Sequence, residues 1–198
     1  MVLIKLKYYI DSTIQVDLKY ASIDNFAGKL FYPEDMKALL RYEVAVMLHR
    51  AQVYLKKEMW DAYSLIVYDA GRPQSAHEKM YEWAIENEKT DYFAWPKWWS
   101  IHSFGCAVDV SIMKGDEPLD MGTWFDALDD ASGTTPEWEE ALVRSWRLTR
   151  KHIEHRDLLR EVMWVWWFSG IDSEWWHYET SSNSEMWGQI RRDFERMK

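Results

Sequence analysis

Two short stretches of this chain bring together residues that can do chemistry. Ser100-Ile101-His102-Ser103-Phe104-Gly105-Cys106-Ala107-Val108-Asp109 holds an imidazole and a carboxylate. Glu174-Trp175-Trp176-His177 adds a second imidazole and a second carboxylate. Two imidazoles and one carboxylate are a ligand set for catalytic zinc, with a fourth position left for water and an acid/base group beside it. On this reading His102, Asp109 and His177 are the ligands and Glu174 is the general base. The same donor set would also accept cobalt or nickel.

The positions within each stretch matter as much as the residue types. After a turn at Gly105, residues 107–112 alternate like a strand with one apolar face. Gly105, Ala107 and Asp109 then share one face, and Cys106, Val108 and Val110 the other. Small Gly and Ala leave room for a metal beside Asp109. Cys106 points to the core and is not a ligand. Glu174 and His177 stand three apart, which in a flat strand puts them on opposite faces. Base and ligand can meet only across a bend or bulge.

Other elements must carry these stretches. Residues 2–18 read as extended, with an edge strand among them, and residues 20–28 as a polar, turn-prone segment. Leu39, Leu40, Val44, Met47, Leu48, Ala51 and Leu55 recur at helical spacing, which predicts a helix from Pro33 to about Met59. Ser64 to Asp69 reads as a buried strand ended by Ala70-Gly71-Arg72-Pro73, and a helix follows from Pro73 to about Glu88. Arg72 then sits at a strand-to-helix corner, where a lone Arg is usually a structural ion-pair partner. Asp91 to Trp99 is irregular and aromatic. Lys114 to Gly133 is loop, and a second helical region runs from Pro136 to Phe168, closed by Ser169-Gly170. Trp175 to Glu179 reads as a strand, and Asn183 caps a last helix to Met197. His49, His152 and His155 fall on helices; His49 is read as solvated or locally bonded, and His152 and His155 as solvated.

Composition sets the outer limits. The 198 residues suffice for one domain, 1–198, with a substantial core. Hydrophobic residues at 47% and charged residues at 29% mark a globular chain. A formal net charge of -9 argues against nucleic acid as the main partner. No apolar run reaches the length of a membrane span. The start lacks the pattern of a signal peptide, and one cysteine cannot form an intrachain disulfide, so a cytoplasmic protein is expected.

Several segments together resemble a known family, the D-alanyl-D-alanine dipeptidases of the vancomycin-resistance type. These are zinc peptidases related to D,D-carboxypeptidases and to the hedgehog amino-terminal domain. Tyr20-Ala21-Ser22-Ile23-Asp24-Asn25-Phe26-Ala27-Gly28 is similar to the family's Tyr-Ala-x-x-Asn/Asp-Asn-Phe-x-Gly segment. Asp69-Ala70-Gly71-Arg72-Pro73 is similar to its Asp-x-Tyr-Arg-Pro corner, and residues 100–109 to its first zinc motif. Met121-Gly122-Thr123-Trp124-Phe125-Asp126 and Glu174-Trp175-Trp176-His177-Tyr178 complete the series, so the likeness covers nearly the whole chain.

The resemblance implies an α+β fold, a small central antiparallel sheet with helices packed around it. It implies zinc held by His102, Asp109 and His177, with Glu174 as base and Arg72 stabilising the oxyanion. It also implies that Asp126 and Tyr20 hold the substrate's free amino group, with Ser100 near its carboxylate. The implied partner is a small free dipeptide, D-Ala-D-Ala first. Three positions depart from the pattern. Gly71 stands where Tyr is usual, Phe104 where Arg is common, and Cys106 where Ser is common. Lacking a side chain, Gly71 is expected to widen the pocket.

Two other classes of function compete. A metal-binding module without turnover is disfavoured by Glu174 and Arg72. A cell-wall carboxypeptidase or phage endopeptidase acting on longer peptides is disfavoured by the absence of an export signal and a wall-binding domain. Each site residue alone is more often a buried polar group in a network. Together, in this order, they point to hydrolysis.

Overall fold

The structure is a computed structural model, and it describes residues 3–6, 10–96 and 100–180. Its strands are β1 (Leu3–Lys5), β2 (Gln15–Val16), β3 (Leu39–Arg41), β4 (Tyr63–Asp69), β5 (Ala107–Lys114), β6 (Glu117–Pro118), β7 (Ser169–Ile171) and β8 (Glu174–Glu179). Its helices are α1 (Tyr42–Met59), α2 (Gln74–Glu86), α3 (Pro136–Arg144) and α4 (Arg150–Trp164). The main sheet runs β2-β4-β5-β8-β7, with β6 paired to the far end of β5. All its pairings are antiparallel except β2 on β4. β1 and β3 form a separate antiparallel ribbon. This is the expected α+β fold, with one parallel strand added at the edge.

The alternation along β4 and β5 divides the sheet into two unlike faces. Leu65 and Val67 with Val108, Val110 and Ile112 turn to one side and are fully buried. There they meet Val44, Leu48 and Leu55 of α1 and Leu159, Val162 and Met163 of α4. The opposite face carries Asp109 and Ser111, and the chemistry sits on it.

The first helix begins at Tyr42, not near Pro33. Leu39 to Arg41 lose their helical bonding to tertiary pairing: they are extended against β1, and their backbone groups also reach two other loops. The region from Pro136 to Phe168 is two helices. Ser145 ends α3, Trp146 takes a left-handed φ of 63°, and Thr149 restarts the chain with a capping box to His152. Ser169-Gly170 does not close a helix but opens β7, because α4 already ends at Trp164. The expected last helix lies outside the described residues, as does the 97–99 part of the aromatic segment. Among the described residues no helix is long and apolar enough to cross a membrane.

His49, His152 and His155 are hydrogen-bonded within the protein. His49 Nδ1 lies 2.6 Å from Asp11 Oδ2, His152 Nδ1 accepts the Thr149 N–H, and His155 Nδ1 donates to Asp120 O at 2.7 Å.

Candidate active site

Strand register brings the polar residues into one row. Asp109 of β5 pairs with Asp69 of β4 on one side and with His177 of β8 on the other. A register shift between Val67 and Asp69 makes Tyr68 the extra residue of a bulge, so Asp69 comes level with Asp109. His102 arrives from outside the sheet, on a short 3-10 turn, Ile101–Phe104. Ser100 Oγ caps that turn by accepting the His102 N–H, and Gly105 ends it with a left-handed φ of 65°.

The three expected ligands converge. His102 Nε2, His177 Nδ1 and Asp109 Oδ1 form a triangle with edges of 3.2, 3.2 and 3.4 Å. Ligand atoms about 2.0–2.1 Å from one tetrahedral zinc would lie about 3.3 Å from each other. The outer ring nitrogens fix the tautomers. His102 Nδ1 donates to Ala70 O at 2.8 Å, and His177 Nε2 faces Glu179 Oε2 at 3.4 Å. Protons there leave Nε2 of His102 and Nδ1 of His177 as lone pairs, aimed with the Asp109 oxygen at one point. Three lone pairs so close repel unless a cation sits among them, so the residues fit a zinc ion. A proton is the other cation able to serve. Against the penalty of burial, bonds to Asp109 and Glu179 hold the His177 imidazolium up to about 10. Burial likewise opposes charge on Asp109, yet the two imidazoles hold its carboxyl well below the usual range.

Glu174 reaches the same point through the bend that its spacing demands. β7 advances one residue, from Gly170 to Ile171, while β8 runs from Tyr178 back to Glu174. The excess length buckles β8, and Glu174 Oε2 comes within 4.0 Å of His177 Nδ1. Burial is the main influence on its carboxyl and raises it; the Asp109 charge adds to this and His177 opposes it.

Arg72 is buried at the corner after β4. Asp69 Oδ2 receives both its Nε and its Nη2, each at 2.8 Å. Burial works against the guanidinium charge, and Asp69 more than restores it. A cleft of about 460 Å³ opens here, lined by Arg72, Ser100, His102, Asp109, Glu174 and His177 among others.

A model of the family described as D-Ala-D-Ala dipeptidase matches residues 6–195. The chain belongs to the D-Ala-D-Ala dipeptidase family. It is accordingly a peptidase, and its family hydrolyses dipeptides. A D-alanyl-D-alanine dipeptidase of Escherichia coli (strain K12) is 30% identical over 168 residues, 84% of this chain and 78% of that protein. The protein of the same name from Enterococcus faecalis (strain ATCC 700802 / V583) is 27% identical over 84% of this chain and 85% of its own length. That of Enterococcus faecium is also 27% identical, over 83% and 85%.

The residues that the family resemblance assigned to substrate lie in the same cleft. Tyr20 donates from its hydroxyl to Asp126 Oδ1 at 3.0 Å, and both line the cleft with Ser100. Asp126 takes a left-handed φ of 58°, which is uncommon for a residue with a side chain. Its loop is held from behind. Buried Arg156 donates to the carbonyls of Met121, Ala131 and Gly133, and Trp175 Nε1 donates to Thr123 Oγ1 at 2.8 Å. Asp126 Oδ2 is buried without a partner. Burial first, then the Asp109 charge, raises its carboxyl well above the ordinary value.

One expectation about the pocket fails. Gly71 is not among the residues lining the cleft, and a Cβ placed on it would lie 2.5 Å from the Leu39 carbonyl oxygen. Glycine there admits β3, whose Leu39 O accepts the Gly71 N–H at 2.8 Å. It does not widen the cleft. Cys106 is buried, as expected, and donates weakly to Phe104 O.

Four residues of this neighbourhood escaped the sequence reading. Asp69 was inside a quoted motif without a role. Glu179 follows His177 by two, and that parity could have marked it. Tyr32, which donates to Asp69 Oδ1 at 2.6 Å, and buried His77 carried no signal beyond residue type.

Proposed function

We propose that this chain is a zinc-dependent hydrolase of free D-Ala-D-Ala and similarly small dipeptides, acting in the cytoplasm on cell-wall precursor units. The observation that carries the substrate reading is Asp126 Oδ2, a buried carboxylate oxygen without a partner in the same cleft as the ligand triangle. A bound ammonium group would satisfy it, and the amino terminus of a free dipeptide supplies one. The cytoplasmic assignment rests on the single cysteine, a free buried thiol.

His102, Asp109 and His177 would hold the zinc. When bound, zinc supplies Lewis acidity, lowering the pKa of water from about 15.7 towards roughly 7 and polarising a carbonyl. The remaining work belongs to side chains. Glu174, raised by burial, accepts the proton of the attacking water and later delivers it to the leaving amine. Arg72 stays cationic and faces the oxygen that gains negative charge. Asp126 and Tyr20 hold the ammonium group, Ser100 stands by the carboxylate, and the two ends fix the scissile bond between them. A blocked amino group would leave Asp126 unpaired, a penalty far larger than one methylene can cause.

Metal analysis of the purified protein comes first, followed by kcat/KM for D-Ala-D-Ala, N-acetyl-D-Ala-D-Ala and a pentapeptide ending in D-Ala-D-Ala. The expected result is one zinc per chain, good turnover of the free dipeptide and poor turnover of both others. Efficient cleavage of the pentapeptide would replace this reading with a carboxypeptidase.

A further inference from the structure

Three buried side-chain polar atoms among the described residues lack a hydrogen-bond partner: His77 Nδ1, Asp126 Oδ2 and Trp166 Nε1. Two of their residues, His77 and Asp126, line the same cleft. Buried polar groups are satisfied as a rule, and exceptions gathered in one cleft point to a ligand that satisfies them. The ammonium group accounts for Asp126. His77 remains.

We propose that His77 is a specificity residue whose Nδ1 accepts a hydrogen bond from a hydroxyl on the dipeptide's carboxyl-terminal side chain. The tautomer follows from the other nitrogen. His77 Nε2 lies 3.1 Å from Ala94 O, and a carbonyl can only accept, so the proton sits on Nε2. Nδ1 is left as a bare lone pair. Burial, and then the charge of Arg72, hold the imidazole down at about 4, so at neutral pH it is an acceptor and not a cation.

Placement selects the donor. His77 lies near the start of α2, whose Gln74 donates to Pro96 O at 2.8 Å and faces Ser103 Oγ at 3.4 Å. This ties α2 to the loop of Ser100 and His102, the end where the proposed dipeptidase reading seats the carboxylate; the inference rests on that reading. A free dipeptide with a hydroxyl on its second side chain has three kinds of donor. Its ammonium group is matched to Asp126. Its scissile N–H belongs beside the ligand triangle, and His77 makes no hydrogen bond to any of the three ligands. The donor left for His77 is a hydroxyl on the second residue, and D-Ser is the smallest residue that carries one.

The test compares D-Ala-D-Ser with D-Ala-D-2-aminobutyrate, which has the same shape and a methyl in place of the hydroxyl. Wild-type holoenzyme should favour the serine dipeptide about tenfold in kcat/KM, the discrimination of one good hydrogen bond. In His77→Leu the ratio should fall to about one, and His77→Gln, which restores an acceptor, should recover part of it. The ratio is internal to each variant, so a reduced folded fraction cancels. A wild-type ratio near one, or a ratio that His77→Leu leaves unchanged, overturns the proposal. Equal losses for both substrates leave that ratio unchanged and so overturn it as well. Failure to cleave any dipeptide would refute the underlying dipeptidase reading, whereas cleavage without discrimination refutes only the role of His77.

Discussion

Arg72 directs both its Nε and its Nη2 at one oxygen of Asp69, each at 2.8 Å, while the same Nη2 lies 3.5 Å from Asp109 Oδ2. The guanidinium is therefore clamped by a carboxylate that the proposed chemistry does not otherwise use. Asp69→Asn keeps the shape and removes the charge. The expected outcome is a fall in kcat of about tenfold or more with zinc content unchanged, because the aim of Arg72 is loosened while the three ligand side chains are retained. Arg72→Ala should cost about 3 kcal/mol or more in the transition state. Wild-type kcat in Arg72→Ala protein would rule out its role at the oxyanion.

Glu174→Gln preserves the size of the side chain and abolishes its basicity. Since Glu174 is outside the ligand triangle, metal analysis should still find one zinc per chain. Turnover should drop about 100- to 10,000-fold, the usual contribution of a general base. His102→Ala should do the opposite first and lose the metal. Retained zinc in His102→Ala protein would be incompatible with the triangle as a metal site.

Gly71→Tyr would restore the residue usual at that position of the family motif, but it should damage this protein. A Cβ there would lie 2.5 Å from backbone that cannot move alone, so β3 must shift. The expected result is a lower Tm and weaker activity on every dipeptide, not a narrowed preference. A variant of unchanged stability with altered selectivity would show that position 71 reaches the cleft after all.

That outcome marks where sequence reasoning stopped. The convergence of His102, Asp109 and His177, the bulge that Glu174 and His177 require, and the inward turn of Cys106 were all legible, because each follows from residue type and strand parity within a few positions. Leu39 and Leu40 misled, since their spacing continues that of α1 while their backbone pairs with β1. Likewise Thr149 and the left-handed Trp146 split one apparent helix into two. His77 was invisible because its meaning depends on Ala94 and on a missing partner, neither of which has a local signature.

Cys106 should be inert in the folded protein. Burial is the main cause that pushes its thiol up to about 11, and almost none of its surface is exposed. The folded thiol holds its proton more tightly than the unfolded one, so its contribution to stability is complete below about pH 9. It is lost as pH rises through about 11. Alkylation by iodoacetamide at pH 8 should be slow and should track unfolding. Rapid, stoichiometric labelling of native enzyme would show that the strand face is not closed.

β3 is bonded both to the corner that carries Arg72 and to the turn that carries His102: Leu39 O takes the Gly71 N–H, the Arg41 N–H donates to Gly105 O at 3.1 Å, and Arg41 Nε donates to Phe104 O at 3.0 Å. One short segment thus latches the Arg72 corner and the His102 turn together. If the β1–β3 ribbon lifts away, both corners are released in a single local opening, with the sheet and its core intact. Hydrogen exchange at the Gly71 and Arg41 amides should then share one rate and one opening free energy below that of global unfolding. Loss of activity on warming would follow that smaller quantity, ahead of the melting of the fold.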